Sequence, residues 1–563
     1  MPRREKSPLE PQRRLAFESL LILAGFALIV LVIDPRGDFP LNDDWNFALG
    51  TWWFAEHGEF RFARFTGMSL RAQVLWGALW TDLFGRSFEV LRASTLFLAA
   101  ATLLVFHRLA ARTGFGAFGR MLSTGALAAH PIFLWSSFTY MTQVPFLFAS
   151  VCAIYCWVRG AAARSAGWFA AGSALLAVSY FIRQSGIAMV LAGILALAVV
   201  WRGSGRSFRL GAGALLAAPV ILFLILILAT ELLHGRPEEF ALRFGLLDLG
   251  PARLAATLAT QAARSFALVM QYAVISLLGL ALAAGFRRMT RGELALALLL
   301  AIPVAWGASE LVSLKGPMPY ASHGNVIADG GFGPLTMRDT WVFGYPPPRT
   351  LPLSFRWTLT VLSVALASLA MGRIAATGVR LARGAEVAGI TAAAAAGALM
   401  GGTAILFTTD ILFDRYSLDA GWPLALLLPL ITIWTPWRRV VAVGVTAAIL
   451  AFSAAGVSDY LAWNRARWEA FAWLRDRGVT LDRIDGGYEI NQYLVGGFDG
   501  AAFLRKAQFS VVDDEWILAL NEVRGYRTVA RVKYERWSGD GTVFIQQRTG
   551  GFIPVFDLQQ EER

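Results

Sequence analysis

Residues 15–33 read LAFESLLILAGFALIVLVI, an apolar run that follows the basic residues Arg13 and Arg14. A helix of about 20 apolar residues crosses the hydrocarbon core of a bilayer. Asp34-Pro35-Arg36 comes directly after the run, and no small-residue cleavage site is present. The run is therefore interpreted as a retained first membrane helix rather than a removable signal peptide.

Similar apolar blocks recur along the rest of the chain. Of its 563 residues, 56% are hydrophobic and 16% are charged, whereas soluble domains carry about 25% charged residues. This pattern predicts an α-helical polytopic membrane protein with about thirteen transmembrane helices. The predicted spans are roughly 15–33, 88–107, 121–137, 144–158, 167–182, 187–201, 210–230, 265–286, 293–313, 352–372, 386–408, 420–436 and 439–458.

The charges between the apolar blocks predict the orientation of the chain. Alternate connectors are basic, as expected for cytoplasmic segments, and most of the acidic residues fall on the other side. The basic connectors contain Arg3, Arg4, Lys6, Arg13 and Arg14, then Arg108, Arg112 and Arg120, Arg159 and Arg164, Arg202, Arg206 and Arg209, Arg287, Arg288 and Arg291, Arg373, Arg380 and Arg383, and Arg438 and Arg439. The amino terminus is therefore predicted to be cytoplasmic and the carboxyl terminus extracytoplasmic.

The composition also bears on partners and localisation. The chain has a net charge of +12, and its basic residues sit in short clusters between the apolar blocks, so membrane lipids are expected partners and nucleic acid is not. Abundant Ala, Arg and Gly is typical of a GC-rich bacterium. We therefore expect a multi-pass protein of the bacterial inner (plasma) membrane, whose outer side faces the periplasm.

Two domains are predicted, a transmembrane domain at 1–459 and a small soluble extracytoplasmic α/β domain at 460–563. The first loop (residues 34–87) is predicted to lie outside and to contain interfacial helices, with 70–84 as the clearest of them. Residues 464–478 predict an amphipathic helix that ends at a glycine. Short strands are predicted at Arg483–Ile484, Phe509–Val512, Arg527–Val532 and Val543–Gln547.

Three predicted outer features combine charges that could serve one site. The first loop carries the adjacent acids Asp43 and Asp44, and two carboxylates this close need a cation, a proton or solvent. Arg183 lies in a short outer turn, and Arg415-Tyr416 precedes a late span. Arginine suits phosphate because its guanidinium is a planar fork of donors. A solvated turn and ordinary interfacial anchoring are the simpler alternatives.

Together these residues resemble the GT-C class of integral membrane glycosyltransferases, in particular the glycosyltransferase family 39-like group of protein O-mannosyltransferases and aminoarabinose lipid A transferases. The resemblance covers roughly residues 15–460 and depends on the order and sidedness of its motifs. Those motifs are Asp43-Asp44, Phe84-Gly85 with Leu91-Arg92-Ala93-Ser94, Arg183-Gln184 and Arg415-Tyr416.

The resemblance implies a transferase that moves a hexose or pentose from a polyprenyl-phosphate donor to a lipid, glycan or protein acceptor of the cell envelope, with inversion. Asp43 or Asp44 would be the general base, and Arg183 and Arg415 would stabilise the departing phosphate. The implied substrate-binding residues are Arg183, Gln184, Arg415, Tyr416, Gln143 and Arg92. Gln143 departs from the pattern, since many relatives have an acid there. The sequence identifies no cofactor and leaves a divalent metal open.

Two alternatives to an enzyme remain at this stage. A transporter or lipid flippase would usually carry ionisable residues near the middle of its helices, whereas here they crowd helix ends. A non-catalytic scaffold would act through its C-terminal domain. The segment 485–493, which contains Tyr488 and Glu489, could contact an acceptor or form a structural turn.

Overall fold

The computed structural model describes residues 9–63, 66–234, 250–285, 289–320, 324–382, 386–409, 412–498, 513–537 and 539–550. Most of these residues are helical, in agreement with the predicted class. In chain order the helices are α1 Leu9–Ile33, α2 Asp44–His57, α3 Arg71–Phe84, α4 Phe88–Ala110, α5 Ala117–Ala129, α6 Pro131–Ser137, α7 Gln143–Ala163, α8 Ala166–Ile182, α9 Val190–Val200, α10 Arg206–His234, α11 Pro251–Ser276, α12 Leu278–Gly285, α13 Arg291–Lys315, α14 Arg338–Trp341, α15 Leu353–Ala382, α16 Val387–Ala404, α17 Tyr416–Gly421, α18 Leu424–Leu430, α19 Pro436–Arg475 and α20 Tyr488–Asn491.

Eight helices within the described ranges are long and apolar enough to cross a membrane. They are Gln12–Ile33, Phe88–Thr113, Gln143–Ala163, Arg206–Ile227, Arg291–Lys315, Leu353–Thr377, Val387–Thr408 and Pro436–Arg475. The pair α11 and α12 would make a ninth span, although the two helices meet at an angle of 92°. A multi-pass membrane protein is therefore confirmed, and the exact count of thirteen is not.

The predicted spans that fall outside this set are short or broken helices. The span 121–137 divides into α5 and α6 at His130, directly before Pro131. A residue before proline is restricted to extended backbone, which interrupts a helix there. The span 420–436 is the short helix α18, which begins after Pro423 and contains Pro429. Hydropathy detected the apolar residues of these segments, and proline decided their length.

The first loop (residues 34–87) contains two helices that pack on each other, α2 and α3. The predicted helix 70–84 is present as α3, which begins after Leu70 and ends at Gly85 with φ of 94°. Both helices lie outside the eight candidate spans. Their position at a membrane interface stays a prediction.

The helix α19 is 40 residues long and continues from a candidate span into the C-terminal region. The predicted domain boundary at 459/460 stays a prediction, and it lies inside this helix. The predicted amphipathic helix at 464–478 is the last part of α19 rather than a separate element.

A hairpin of two short strands, β1 Ile327–Ala328 and β2 Gly331–Phe332, precedes the C-terminal region. A four-stranded sheet packs against α19 and consists of β3 Ile484–Asp485, β4 Trp516–Ala519, β5 Tyr526–Tyr534 and β6 Gly541–Arg548. The strand order is β3-β4-β6-β5, in which the pair β3–β4 is parallel and the other two pairs are antiparallel. Three of the predicted strands correspond to β3, β5 and β6, whereas β1, β2 and β4 were not predicted and Phe509–Val512 lies outside the described residues.

Buried ion pairs hold the C-terminal region against the helical bundle. Arg467 of α19 donates to Glu489 at 2.7 Å, and both side chains are fully buried. Arg338 of α14 pairs with Asp485 at 2.8 Å and with Asp514 at 3.0 Å. A charge removed from water is stable only when its partners are in place, so these pairs fix how the sheet sits on the bundle.

We expect Arg467→Met to destabilise the protein, because Glu489 would remain buried without its cation. Breaking a buried pair in this way costs about 3–5 kcal/mol. Thermal unfolding of the detergent-purified protein would show a melting temperature several degrees lower. The control is Arg531→Met, which removes an exposed pair with Glu522 and should change little. Equal melting temperatures for the two variants would contradict the structural role of the buried pair.

Candidate functional site

Asp43 lies where three distant parts of the chain meet. It directly precedes α2, and about a quarter (26%) of its side chain is exposed. Tyr488 donates a hydrogen bond to its Oδ1 at 2.9 Å, and Arg415 Nη2 lies 3.3 Å from its Oδ2. Asp43 and Arg415 are 372 positions apart in the sequence, so the fold brings two predicted site residues together.

Asp44, the second acid of the predicted pair, has a different environment. It is 1% exposed, and it accepts hydrogen bonds from the main-chain N–H groups of Leu41 at 2.5 Å and Tyr140 at 3.3 Å. Burial raises the pKa of Asp44 well above its ordinary value, and the nearby Arg92 and the two hydrogen bonds oppose that rise. Asp44 thus ties the first loop to the 138–142 turn, whereas Asp43 carries the accessible carboxylate.

Arg92, also predicted to bind substrate, is almost fully buried in α4. Its Nη1 donates to the carbonyls of Pro35 at 2.5 Å and Gly37 at 3.0 Å, and its Nη2 donates to Phe39 at 3.0 Å. Main-chain carbonyls of the first loop therefore occupy both terminal nitrogens. This geometry favours a role in positioning the loop over the predicted contact with substrate.

The first loop packs against the C-terminal end of α8, next to Arg183. Ser69 donates to the carbonyl of Tyr180 at 2.5 Å, and the N–H of Leu70 donates to Ile182 at 3.2 Å. Gln184 Nε2 donates to the carbonyl of Gly67 at 3.4 Å. The predicted residue Gln184 thus helps to seat the loop.

Arg183 is buried and forms an ion pair with Asp419, with Nη1 2.6 Å from Oδ2. Its guanidinium also lies over the rings of Phe146 and Tyr416, at 5.7 and 5.4 Å from their centroids. The predicted residues Arg183 and Tyr416 are therefore in contact. Asp419 was not predicted, although its place four residues after Arg415 on a short helix was a usable signal.

Arg415 is held by the segment that leads into β1. Its Nη1 donates to the carbonyl of Gly324 at 3.2 Å. Gly324 has φ of +86°, and a Cβ there would lie 2.9 Å from the ring of Phe413. Glycine is required at this position because the backbone is left-handed and the space is filled.

Asp414, the residue before Arg415, anchors the same connection. Its carboxylate accepts from the N–H groups of Val326 at 2.9 Å and Ile327 at 2.6 Å, and its own N–H donates to Asn325 Oδ1 at 3.0 Å. Burial raises the pKa of Asp414 to about 6, against the opposing effect of these hydrogen bonds and of Arg415. Asp414 therefore fixes the backbone that presents Arg415 to Asp43.

Gln143 begins α7 and is completely buried. Within the described ranges, neither its amide oxygen nor its amide nitrogen has a hydrogen-bond partner. Leaving buried polar atoms unpaired costs about 1–3 kcal/mol each. The amide therefore has unused donor and acceptor atoms, and its predicted contact with substrate stays a prediction.

Two linked groups contain four of the eight predicted residues, Asp43 with Arg415 and Arg183 with Tyr416. Both groups are attached to residues 415–419, so they lie side by side. Asp44, Arg92 and Gln184 make hydrogen bonds that hold the first loop, and their predicted roles in the site stay predictions. Sequence reasoning missed Tyr488 as a contact of the carboxylate. Among the described residues, no group of three or more His, Cys, Asp or Glu side chains could hold a metal ion.

Neither a protein-family model nor a curated protein sequence matches this chain. It is similar to the solved structure of the archaeal oligosaccharyltransferase AglB from Archaeoglobus fulgidus in complex with an inhibitory peptide and a dolichol-phosphate, with 15% identity and a TM-score of 0.42. That match covers 80% of this chain and spans 58% of the AglB chain.

The chain is also similar to ArnT from Cupriavidus metallidurans bound to undecaprenyl phosphate. The identity is 14%, the TM-score is 0.36, and the match covers 97% of this chain and 99% of ArnT. For apo ArnT the TM-score is 0.37 at 14% identity, with 94% and 98% covered. AglB and ArnT are GT-C glycosyltransferases, the class that the sequence resembles. At such low identities and TM-scores, the likeness does not determine what this chain does.

We expect Asp44→Ala to lower the free energy of unfolding, because it leaves the N–H groups of Leu41 and Tyr140 unpaired in a buried place. Each unpaired donor costs about 1–3 kcal/mol. The comparison is Asp82→Ala, at an exposed acid of the same loop. Thermal unfolding in the same detergent measures both variants, and a loss no larger for Asp44→Ala would contradict its anchoring role.

Proposed function

We propose that this protein is an inverting membrane glycosyltransferase that transfers a hexose or pentose from a polyprenyl-phosphate donor to an acceptor of the cell envelope. The acceptor would be a lipid, a glycan or a protein. The reaction would take place on the periplasmic side of the bacterial inner membrane. Asp43 would be the general base, Arg183 and Arg415 would bind the donor phosphate, and Tyr416, Gln143 and Gln184 would complete the substrate-binding set.

The pairing of Asp43 with Arg415 is the observation that carries this proposal. A partly exposed carboxylate and a buried guanidinium lie 3.3 Å apart, and they come from the two segments in which the sequence resemblance places a base and a phosphate-binding group. Ionisable residues in a membrane protein are a functional-site hypothesis by default. Here a buried arginine lies beside a partly exposed carboxylate.

The proposed reaction displaces a lipid phosphate in one step. Asp43 accepts the proton of the acceptor hydroxyl as the acceptor oxygen forms a bond to the anomeric carbon. The bond from that carbon to the phosphate oxygen breaks on the opposite face, and its electron pair leaves with the polyprenyl phosphate. The sugar is thereby transferred with inversion of configuration.

Electrostatics favours this sequence of events. Asp43 loses its negative charge when it accepts the proton, while negative charge develops on the departing phosphate. Arg415 lies beside Asp43 and can pair with either anion. A fixed cation placed where charge develops stabilises the transition state more than the ground state.

The remaining predicted residues fit the polar parts of a donor. Gln143 has a buried amide with unused donor and acceptor atoms, which suits a sugar hydroxyl. Arg183 is held over the Tyr416 ring, so its planar face is fixed and its edge can meet phosphate. Asp419 competes with phosphate for Arg183, and donor binding would exchange one anion for the other.

We expect Asp43→Asn to lower the rate of sugar transfer about 10²–10⁴-fold, the usual contribution of a positioned general base. The assay presents radiolabelled polyprenyl-phosphate sugars and a cell-envelope extract to the purified protein. Asp82→Asn, an exposed acid of the same loop, is the matched control and should retain wild-type activity. An equal melting temperature would show that Asp43→Asn is folded.

Two results would count against the proposal. Wild-type rates in Asp43→Asn would eliminate the proposed base. If the wild-type protein transferred no sugar from any donor but bound or moved the lipid, the function would be that of a transporter or flippase.

We expect Asp419→Asn to tighten the binding of undecaprenyl phosphate about fivefold, because it removes an anion that competes for Arg183. Even at the dielectric constant of water, two like charges about 4 Å apart repel by about 1 kcal/mol, which corresponds to about fivefold in affinity. Intrinsic tryptophan fluorescence would follow the titration, with Arg183→Gln as the variant that loses binding. Weaker binding in Asp419→Asn would contradict the exchange and assign Asp419 to holding Arg183 in place.

A further inference from the structure

We propose that Tyr488, in the C-terminal domain, is a positioning residue of the transfer site and that it orients the Asp43 carboxylate for proton transfer. This inference rests on the proposed function. It adds the C-terminal domain to a site that the resemblance placed in the membrane domain alone.

Tyr488 makes a direct contact with the carboxylate. Its hydroxyl donates to Asp43 Oδ1 at 2.9 Å across 445 positions of sequence. Burial, and secondly the adjacent Asp43 charge, raise the pKa of Tyr488 well above its ordinary value. The phenol therefore stays protonated and is the donor in this hydrogen bond.

The ring of Tyr488 is held by aromatic contacts on two sides. It meets Trp45 edge-on at a centroid distance of 6.1 Å and lies 5.8 Å from Trp341. Trp45 is completely buried. A rigid aromatic side chain loses little conformational freedom when it forms one more hydrogen bond, so the hydroxyl is presented to Asp43 in advance.

The backbone around Tyr488 is equally constrained. The N–H of Tyr488 donates to the carbonyl of Thr336 at 2.9 Å. Gly487 has φ of +87°, and a Cβ there would lie 2.7 Å from that same carbonyl oxygen. Asp485 Oδ1 accepts from the N–H of Gly487 at 3.0 Å and from Asn491 Nδ2 at 2.8 Å. The turn can be built only with glycine at 487, and it fixes the direction of the tyrosine.

The two hydrogen-bonding partners of Asp43 approach different oxygens, Tyr488 at Oδ1 and Arg415 at Oδ2. A partly exposed aspartate otherwise rotates broadly about its last torsion. Two fixed partners restrict this rotation and leave the remaining lone pairs for the acceptor hydroxyl. Orientation supplied in advance speeds the chemical step without strengthening substrate binding.

The test compares Tyr488→Phe with Tyr493→Phe, a matched control on the same segment. Each change removes one hydroxyl and keeps the ring. We expect Tyr488→Phe to lower kcat about ten- to hundredfold, the range for loss of one hydrogen bond to a charged group, with KM for the donor within about twofold. Tyr493→Phe should match the wild type. A disturbed fold would instead change KM and the melting temperature.

A double-mutant cycle then asks whether Tyr488 acts through Asp43. In the Asp43→Asn background, Tyr488→Phe should cause no further loss of rate, because the group that it positions is already gone. Additive losses, or a wild-type kcat in Tyr488→Phe, would overturn the inference and leave the proposed function standing. If the wild-type protein transferred no sugar at all, the proposed function would fail together with this inference.

Discussion

The structure depends on how one buried carboxylate, that of Glu489, is neutralised. Its Oε1 accepts the N–H of Asn42 at 3.0 Å, and its Oε2 accepts from Arg467 at 2.7 Å and from the hydroxyl of Thr336 at 2.5 Å. These donors belong to the first loop, to the long helix α19 and to the connection after β2. A buried charge is tolerated only when all such partners are present, so the three parts must assemble around Glu489 together.

The position of the candidate site follows from this assembly. Glu489 binds Asn42, and the preceding residue Tyr488 binds the following residue Asp43. Two consecutive residues of the C-terminal region, Tyr488 and Glu489, thus hydrogen-bond to two consecutive residues of the first loop, Asn42 and Asp43. Arg92 holds the first loop from the opposite side through three carbonyls. The partly exposed carboxylate of Asp43 therefore has contacts from both the helical bundle and the C-terminal region, and its geometry depends on both.

Each of the two arginines in the candidate site is paired with a carboxylate. Asp43 pairs with Arg415, and Arg183 pairs with Asp419, which lies four residues after Arg415 in the chain. In the proposed reaction, the phosphate of the donor would replace the carboxylates as the partner of these arginines. Such an arrangement keeps buried guanidinium groups compensated before substrate arrives, which an uncompensated pocket could not do without a large desolvation penalty.

The amino-acid sequence alone determined that this protein lies in a lipid membrane and that it is a helical multi-pass protein. Blocks of apolar residues near the bilayer thickness can be satisfied only in lipid, and the signal is local, so it survives without coordinates. It also singled out the pair Asp43-Asp44 together with Arg183 and Arg415, whose roles stay predictions. The tertiary structure alone decided how many blocks form long straight helices, because Pro131 and Pro423 act on backbone geometry that hydropathy does not record. The tertiary structure also distinguished Asp43 from Asp44. The two residues are adjacent aspartates, but Asp43 is partly exposed and Asp44 is buried. Tyr488 became visible as a partner of Asp43 only there, because a contact across 445 positions has no periodicity or spacing in the sequence.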